Sequence, residues 1–186
     1  MSPAKPTQED KEELLLSCRY GDLEDIQVFV NKFGSEPVND IHDDTGNCVL
    51  HMVAANGHAY ALDYLLSVVP PSLLSAQNDA KSTPLHWAAL NSHLSIVQKL
   101  VQFKAGPGVD LLDIKNAAGR SPLGEAENVG WDEGAKWMVE VMNLAEVKGE
   151  DEDQVVDSAA DIEVEIQDAE GQIARMKIGQ QTPKDP

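Results

Sequence analysis

Apolar residues form a spaced triplet that recurs four times along the chain: Ile26, Phe29 and Val30; Leu62, Leu65 and Leu66; Val97, Leu100 and Val101; Ala135, Met138 and Val139. The i, i+3, i+4 spacing places each triplet on one face of a helix. Every triplet follows an anchor residue at the same offsets. The anchors Gly21, Gly57, Ser92 and Gly130 are separated by steps of 36, 35 and 38 residues. Such a period marks stacked repeats that bury their core between neighbours. A shorter helix is predicted ahead of each anchor. It opens with Cys48-Val49-Leu50-His51, Thr83-Pro84-Leu85-His86 and Ser121-Pro122-Leu123-Gly124, with Glu12-Glu13-Leu14-Leu15 at the matching place in the first unit. The reading is all-α, a solenoid of four helix pairs.

Turn chemistry sets the boundaries. Thr7 with Asp10 three residues on has the form of a capping box, and Asp22 with Asp25 offers a similar start to the next helix. Gly34 and Pro37, Pro70-Pro71 and Gly106-Pro107-Gly108 close successive helix pairs, the last with a small surface insertion. The repeats are predicted over 8–40, 43–76, 78–112 and 116–144, after an N-terminal segment 1–7 and before a tail 145–186.

Charge changes the picture in the tail. From Glu146 to Glu170 there are eleven acidic residues against the single basic Lys148, out of a net charge of −18 for the chain. Such a tract buries too little apolar surface to offset its ordering entropy, and the tail is expected to be largely disordered. The alternation Ile162, Val164, Ile166 is compatible with a short strand. An excess of carboxylates repels phosphate backbones and anionic lipid, so direct binding to nucleic acid or membrane is not expected and a basic partner is favoured. No apolar run approaches the roughly 20 residues that span a bilayer. The polar stretch Met1 to Lys11 lacks the apolar core of a signal peptide, so a cytoplasmic and nuclear location is expected.

Few residues suggest chemistry. Cys18 and Cys48 fall at small-residue positions of the repeat and match no Cys-x-x-Cys motif. His51 and His86, with His58 and His93 seven residues after them, could suggest a metal site, but their spacing is that of the repeat itself. Asp44-Thr45-Gly46 matches the aspartic-protease triplet, yet it sits in a turn and has no second copy to supply the paired carboxylate. Phosphate-binding glycine loops and calcium-loop spacing are missing. Neither catalysis, a cofactor nor a metal is expected.

The segments Leu50-His51-Met52-Val53-Ala54-Ala55-Asn56-Gly57-His58 and Thr83-Pro84-Leu85-His86-Trp87-Ala88-Ala89-Leu90-Asn91 resemble ankyrin repeats, and the resemblance extends from about Glu12 to Asn143. The first repeat is degenerate, and the fourth has Gly124 for the histidine and Glu125-Ala126-Glu127-Asn128 for the alanine-rich stretch. With the acidic tail, these variants resemble the small eukaryotic ankyrin-repeat chaperones dedicated to the third small-subunit ribosomal protein. That resemblance implies a monomeric escort that keeps a basic ribosomal protein soluble for ribosome biogenesis. The alternative is a general ankyrin adaptor or inhibitor of a kinase or transcription factor, since fold alone does not choose a partner.

Ankyrin proteins bind partners through turn tips and inner-helix surfaces. Carried onto this sequence, those positions are Arg19 and Tyr20; Asp44, Thr45, Asn47, Ala55 and Asn56; Asp79, Ala80, Ser82, Trp87, Leu90 and Asn91; and Ala118, Arg120, Glu125, Asn128 and Val129. Leu90, Trp87 and Tyr20 are the expected apolar anchors, with carboxylates for the client's Lys or Arg. As a flexible coil, a 25-residue acidic tract spans on the order of 28 Å, about the length of the stack.

Overall fold

The computed structural model describes residues 5–152, 163–167 and 173–177. Among them are eight α-helices, α1 (Gln8–Tyr20), α2 (Leu23–Phe33), α3 (Val49–Asn56), α4 (Ala59–Val68), α5 (Pro84–Leu90), α6 (Leu94–Gln102), α7 (Pro122–Asn128) and α8 (Asp132–Glu152). Short 3-10 turns, Glu36–Asp40, Pro71–Ser75 and Gly108–Leu112, follow α2, α4 and α6. The odd-numbered helices pack successively as an inner layer, α1 on α3, α3 on α5 and α5 on α7, while α2, α4 and α6 form the outer layer. The chain divides at Glu146 into two units, and the first of these is the helical stack.

Local sequence accounts for the helix ends. Thr7 caps α1, its Oγ1 accepting from the Asp10 amide while Asp10 Oδ2 accepts from the Thr7 amide at 2.8 Å. Hydrogen bonds from Thr7 hold the Asp10 carboxyl down at about 2. Asp22, expected to act likewise, makes no side-chain cap bond to α2. Pro84 and Pro122 start α5 and α7, where a missing N–H costs nothing. Gly21 and Gly57 end α1 and α3 at φ 76° and 75°, a left-handed conformation that glycine adopts without a Cβ clash.

Most residues of the predicted core triplets are buried, with Val30 and Ala135 half-buried. Ile26 and Phe29, Leu62, Leu65 and Leu66, and Val97, Leu100 and Val101 lie inside, as does Met138 of the last triplet. Val139 differs, with 42% of its surface exposed. It occupies the template's core position on α8, and among the described residues no fifth repeat follows to cover it. Leu144 on the same helix is 62% exposed.

In the second unit, β1 (Glu163–Gln167) pairs antiparallel with β2 (Ile173–Lys177), with Glu163 opposite Lys177 and Glu165 opposite Arg175. The alternation through Val164 and Ile166 is thus part of a hairpin, in a segment expected to be largely disordered. Two of its cross-strand pairs set opposite charges against each other, which favours this register. The remainder of the tail, residues 153–162, 168–172 and 178–186, lies outside the described residues.

Candidate partner-binding face

The turns between repeats hold their shape through side chains that bond their own backbone. Asp43 Oδ1 accepts from the amides of Thr45 and Asn47 at 2.9 and 2.8 Å, Asn78 Oδ1 from Ser82 at 2.9 Å, and Asn116 Oδ1 from Ala118 and Arg120 at 3.0 and 3.1 Å. Burial pushes the Asp43 carboxyl up, but its bonds from Asn47 and Thr45 outweigh that and leave it below its ordinary value. The turns are also joined to each other. The Asp79 amide donates to the Thr45 carbonyl at 3.1 Å, and the Ala117 amide to that of Ala80 at 2.8 Å. The result is a row of fingers standing beside the inner helices.

Four histidines tie repeat to repeat. His51 Nδ1 accepts from the Cys48 amide at 3.2 Å while its Nε2 donates to the Ser82 carbonyl at 2.9 Å. His86 repeats the arrangement with the Thr83 amide and the Arg120 carbonyl, at 3.1 and 3.0 Å. Amides only donate and carbonyls only accept, so both rings are neutral with the proton on Nε2. Burial lowers the His51 pKa to about 4 and lowers that of His86 as well. His58 and His93 reach the other way, each donating from Nε2, to Arg19 O at 2.9 Å and Ala55 O at 3.1 Å. All four rings are thus engaged with backbone, and no cluster of three or more His, Cys, Asp or Glu able to hold a metal occurs among the described residues. Cys18 and Cys48 are buried free thiols whose pKa values burial raises. No helix among the described residues is long and apolar enough to cross a membrane.

Most residues expected on the binding face are open to solvent. Tyr20 is 74% and Leu90 40% exposed, and Arg19, Asp44, Thr45, Asn56, Asp79, Ala80, Asn91, Ala118, Arg120, Asn128 and Val129 are also exposed. Ala55, Ser82 and Trp87 are half-buried. Two expectations are corrected. Asn47 is buried, its Nδ2 donating to Asp43 Oδ2 and its Oδ1 accepting from Asn78 Nδ2 at 2.7 Å, so it braces adjacent turns. Glu125 is buried too, with Oε1 accepting from Asn116 Nδ2 at 2.6 Å and paired with Arg120 Nε at 3.0 Å. It stands where the second and third repeats have Met52 and Trp87, and supports the last turn from below.

Sequence reasoning missed the groove between α1 and the turn of the second repeat. Its walls include Glu12, Leu16, Arg19, Asp44 and Met52, and its volume is about 330 Å³. Leu16 is 50% exposed there. The signal was available in the triple Leu14-Leu15-Leu16, because one helical face cannot bury three consecutive residues.

This is a stack built for protein contact, with turn tips and inner helices open along one side. Residues 14–113 match the family model for ankyrin repeats in three copies. The chain belongs to the ankyrin-repeat family, whose members are protein-interaction modules. It is similar to ankyrin repeat-containing protein P16F5.05c of Schizosaccharomyces pombe, 33% identical over 118 residues that make up 63% of this chain and 76% of that protein. The nuclear factor NF-kappa-B p105 subunit of Gallus gallus is 35% identical over 77 residues, 39% of this chain, but the match spans just 8% of its length. Among solved structures, the crystal structure of the yeast ribosomal protein Rps3 in complex with its chaperone Yar1 contains a chain that superposes with a TM-score of 0.67. Identity is 27%, with 73% of this chain and 95% of that chain covered.

Proposed function

We propose that this protein is a non-enzymatic chaperone that escorts a basic small-subunit ribosomal protein of the Rps3 type, binding it along the turn tips and inner helices. The observation that carries this reading is the likeness to a chain of the Rps3–Yar1 complex over 95% of that chain. Charge supports it independently. Of the net −18, residues 1–144 contribute −10 and residues 145–186 contribute −8, so both the stack and the tail can screen a basic client. A ribosomal protein without its RNA carries unneutralised cationic surface, and carboxylates take the place of the missing phosphates. On this reading the protein works in the cytoplasm and nucleus, where the client is made and assembled.

The test is co-expression with an Rps3-type protein, scored by the client's solubility and by co-purification at moderate salt. A stable soluble complex free of RNA is expected. A client that precipitates equally with and without this protein would overturn the proposal.

A further inference from the structure

Each layer of a repeat stack is covered by the next, and a terminal layer is expected to turn a polar face outward. The fourth repeat does not. Its α8 carries Ala135, Val139 and Met142 at i, i+4 and i+7, a continuous apolar stripe along the helix. Val139 is 42% exposed, whereas Leu66 and Val101, at the same place in the second and third repeats, are 7% and 5% exposed. On α7, Leu123 is half-buried where its counterparts Leu50 and Leu85 are fully buried. Leu14, the counterpart in the first repeat, is buried too, although among the described residues no repeat precedes it. This position is therefore covered by the layer that follows.

We propose that the open face of the fourth repeat is a second docking surface, apart from the turn tips, and that a basic amphipathic helix of the client lies along α8 where the next outer helix of a longer stack would pack. Geometry selects a helix. Within the stack α4 packs on α2 and α6 on α4, so the face repeats a surface that elsewhere receives a helix. Gly124 stands where His51 and His86 reach forward to hold the following turn, so the face offers no such tie to a further repeat and has room for the helix alone. Charge selects the flank. Glu127, Asp132, Glu133 and Glu140 are exposed, while Lys136 lies 4.0 Å from Glu140 and Arg120 is paired with Glu125. Lysines or arginines beside the apolar stripe of the incoming helix meet these carboxylates. A second copy of the chain would bring the same carboxylates to the contact, and residues 153–170 carry seven acidic residues and no basic one, so neither supplies a basic flank.

The source of the helix rests on the proposed chaperone reading, but the surface can be tested without the client. The probe is a 14-residue amphipathic helix of leucine and lysine, titrated into the full-length protein while the Met142 methyl resonance is followed. A shift with half-saturation on the order of 100 μM is expected. Val139→Lys should weaken it at least tenfold, Val28→Lys on α2 should not, and the same peptide with glutamate for lysine should leave Met142 unmoved. An unmoved Met142 signal with the basic peptide, an equal shift in Val139→Lys, or an equal response to the acidic peptide overturns the inference. So does a wild-type dimer in sedimentation that Val139→Lys dissociates, which would assign the face to a second copy. In the complex, Val139→Lys should lower client affinity about tenfold, and its effect should multiply with that of Leu90→Ala, as for separate surfaces. If the peptide titration succeeds while the wild-type protein fails to capture an Rps3-type client, the chaperone reading falls and the helix-docking surface stands. If the client is captured and Val139→Lys binds it as tightly as wild type, the second surface falls and the chaperone reading stands.

Discussion

His93 reaches back across 38 residues to donate from Nε2 to the carbonyl of Ala55, and its ring lies over Gly57 so closely that a Cβ there would stand 2.8 Å from Nδ1. The glycine that ends one repeat's inner helix therefore makes the room in which the next repeat's histidine docks. Gly57→Ala combines a left-handed alanine, about 1–2 kcal/mol, with displacement of that hydrogen bond, about 1 kcal/mol more. Gly119→Ala is the control, since φ there is 73° but nothing lies within 4 Å of a Cβ. Urea denaturation should show Gly57→Ala as the more destabilised of the two by about 1 kcal/mol or more.

The neutral state of His51 makes stability depend on pH. Its folded pKa of about 4 lies below the ordinary 6.5, so the unfolded chain binds the proton more readily and acid favours unfolding. The contribution is fully present above 6.5, is lost progressively as pH falls toward 4, and amounts to ~3 kcal/mol. His86 acts in the same direction. Acidification also relieves repulsion among the carboxylates, which opposes the trend, so the comparison must be with a variant. His51→Gln should be less stable than wild type at pH 7.5, and the gap should narrow by pH 4.5 in denaturant melts.

Braces and anchors should separate by readout. Asn47→Ala strands the Asn78 amide nitrogen and one Asp43 oxygen, and should cost about 2–3 kcal/mol of folding stability. Tyr20→Ala and Leu90→Ala remove exposed side chains and should leave stability within about 0.5 kcal/mol. If these two anchor a client, its affinity should drop about tenfold for each in calorimetric titration.

The tail should act through charge. A chain ending at Glu152 is expected to bind a basic client more weakly, with a shallower dependence of log affinity on log salt, because fewer counterions are displaced. Parallel titrations at 50 and 300 mM salt would check this; an unchanged slope would remove the tail from the binding account.

The repeat frame could be read from the sequence because each of its marks has a local cause. Glycine at a left-handed helix end, proline at a helix start and the apolar triplets recur in register, and two independent periods fix the histidines at backbone ties. Val139 could not be read the same way. Its burial depends on a further repeat, and a template position does not say whether that neighbour is present. Asn47 and Glu125 were placed on the wrong side for a related reason. A turn position identifies the segment that faces a partner, but the direction of a side chain within it is decided by Asn78 and by Asn116 with Arg120, 31 residues away in the first case and nearby in the second. Leu16 shows the converse, an apolar residue left outside because its neighbours Leu14 and Leu15 had taken the buried face.

The histidine ties have a polarity along the stack. His51 and His86 reach forward to the next repeat, and His58 and His93 reach back to the previous one, so the two middle repeats are held from both sides. The fourth has Gly124 where the forward-reaching histidine would stand and is joined through this set by His86 alone. A protease-associated unfolding motor pulling from either end would meet a layer held by one such tie, His86 at the C-terminal end and His58 at the N-terminal end, before loading the doubly tied pair. The four imidazoles therefore fasten the middle of the stack more firmly than either end, and a degrading motor should stall at the same inner seam whichever end it seizes.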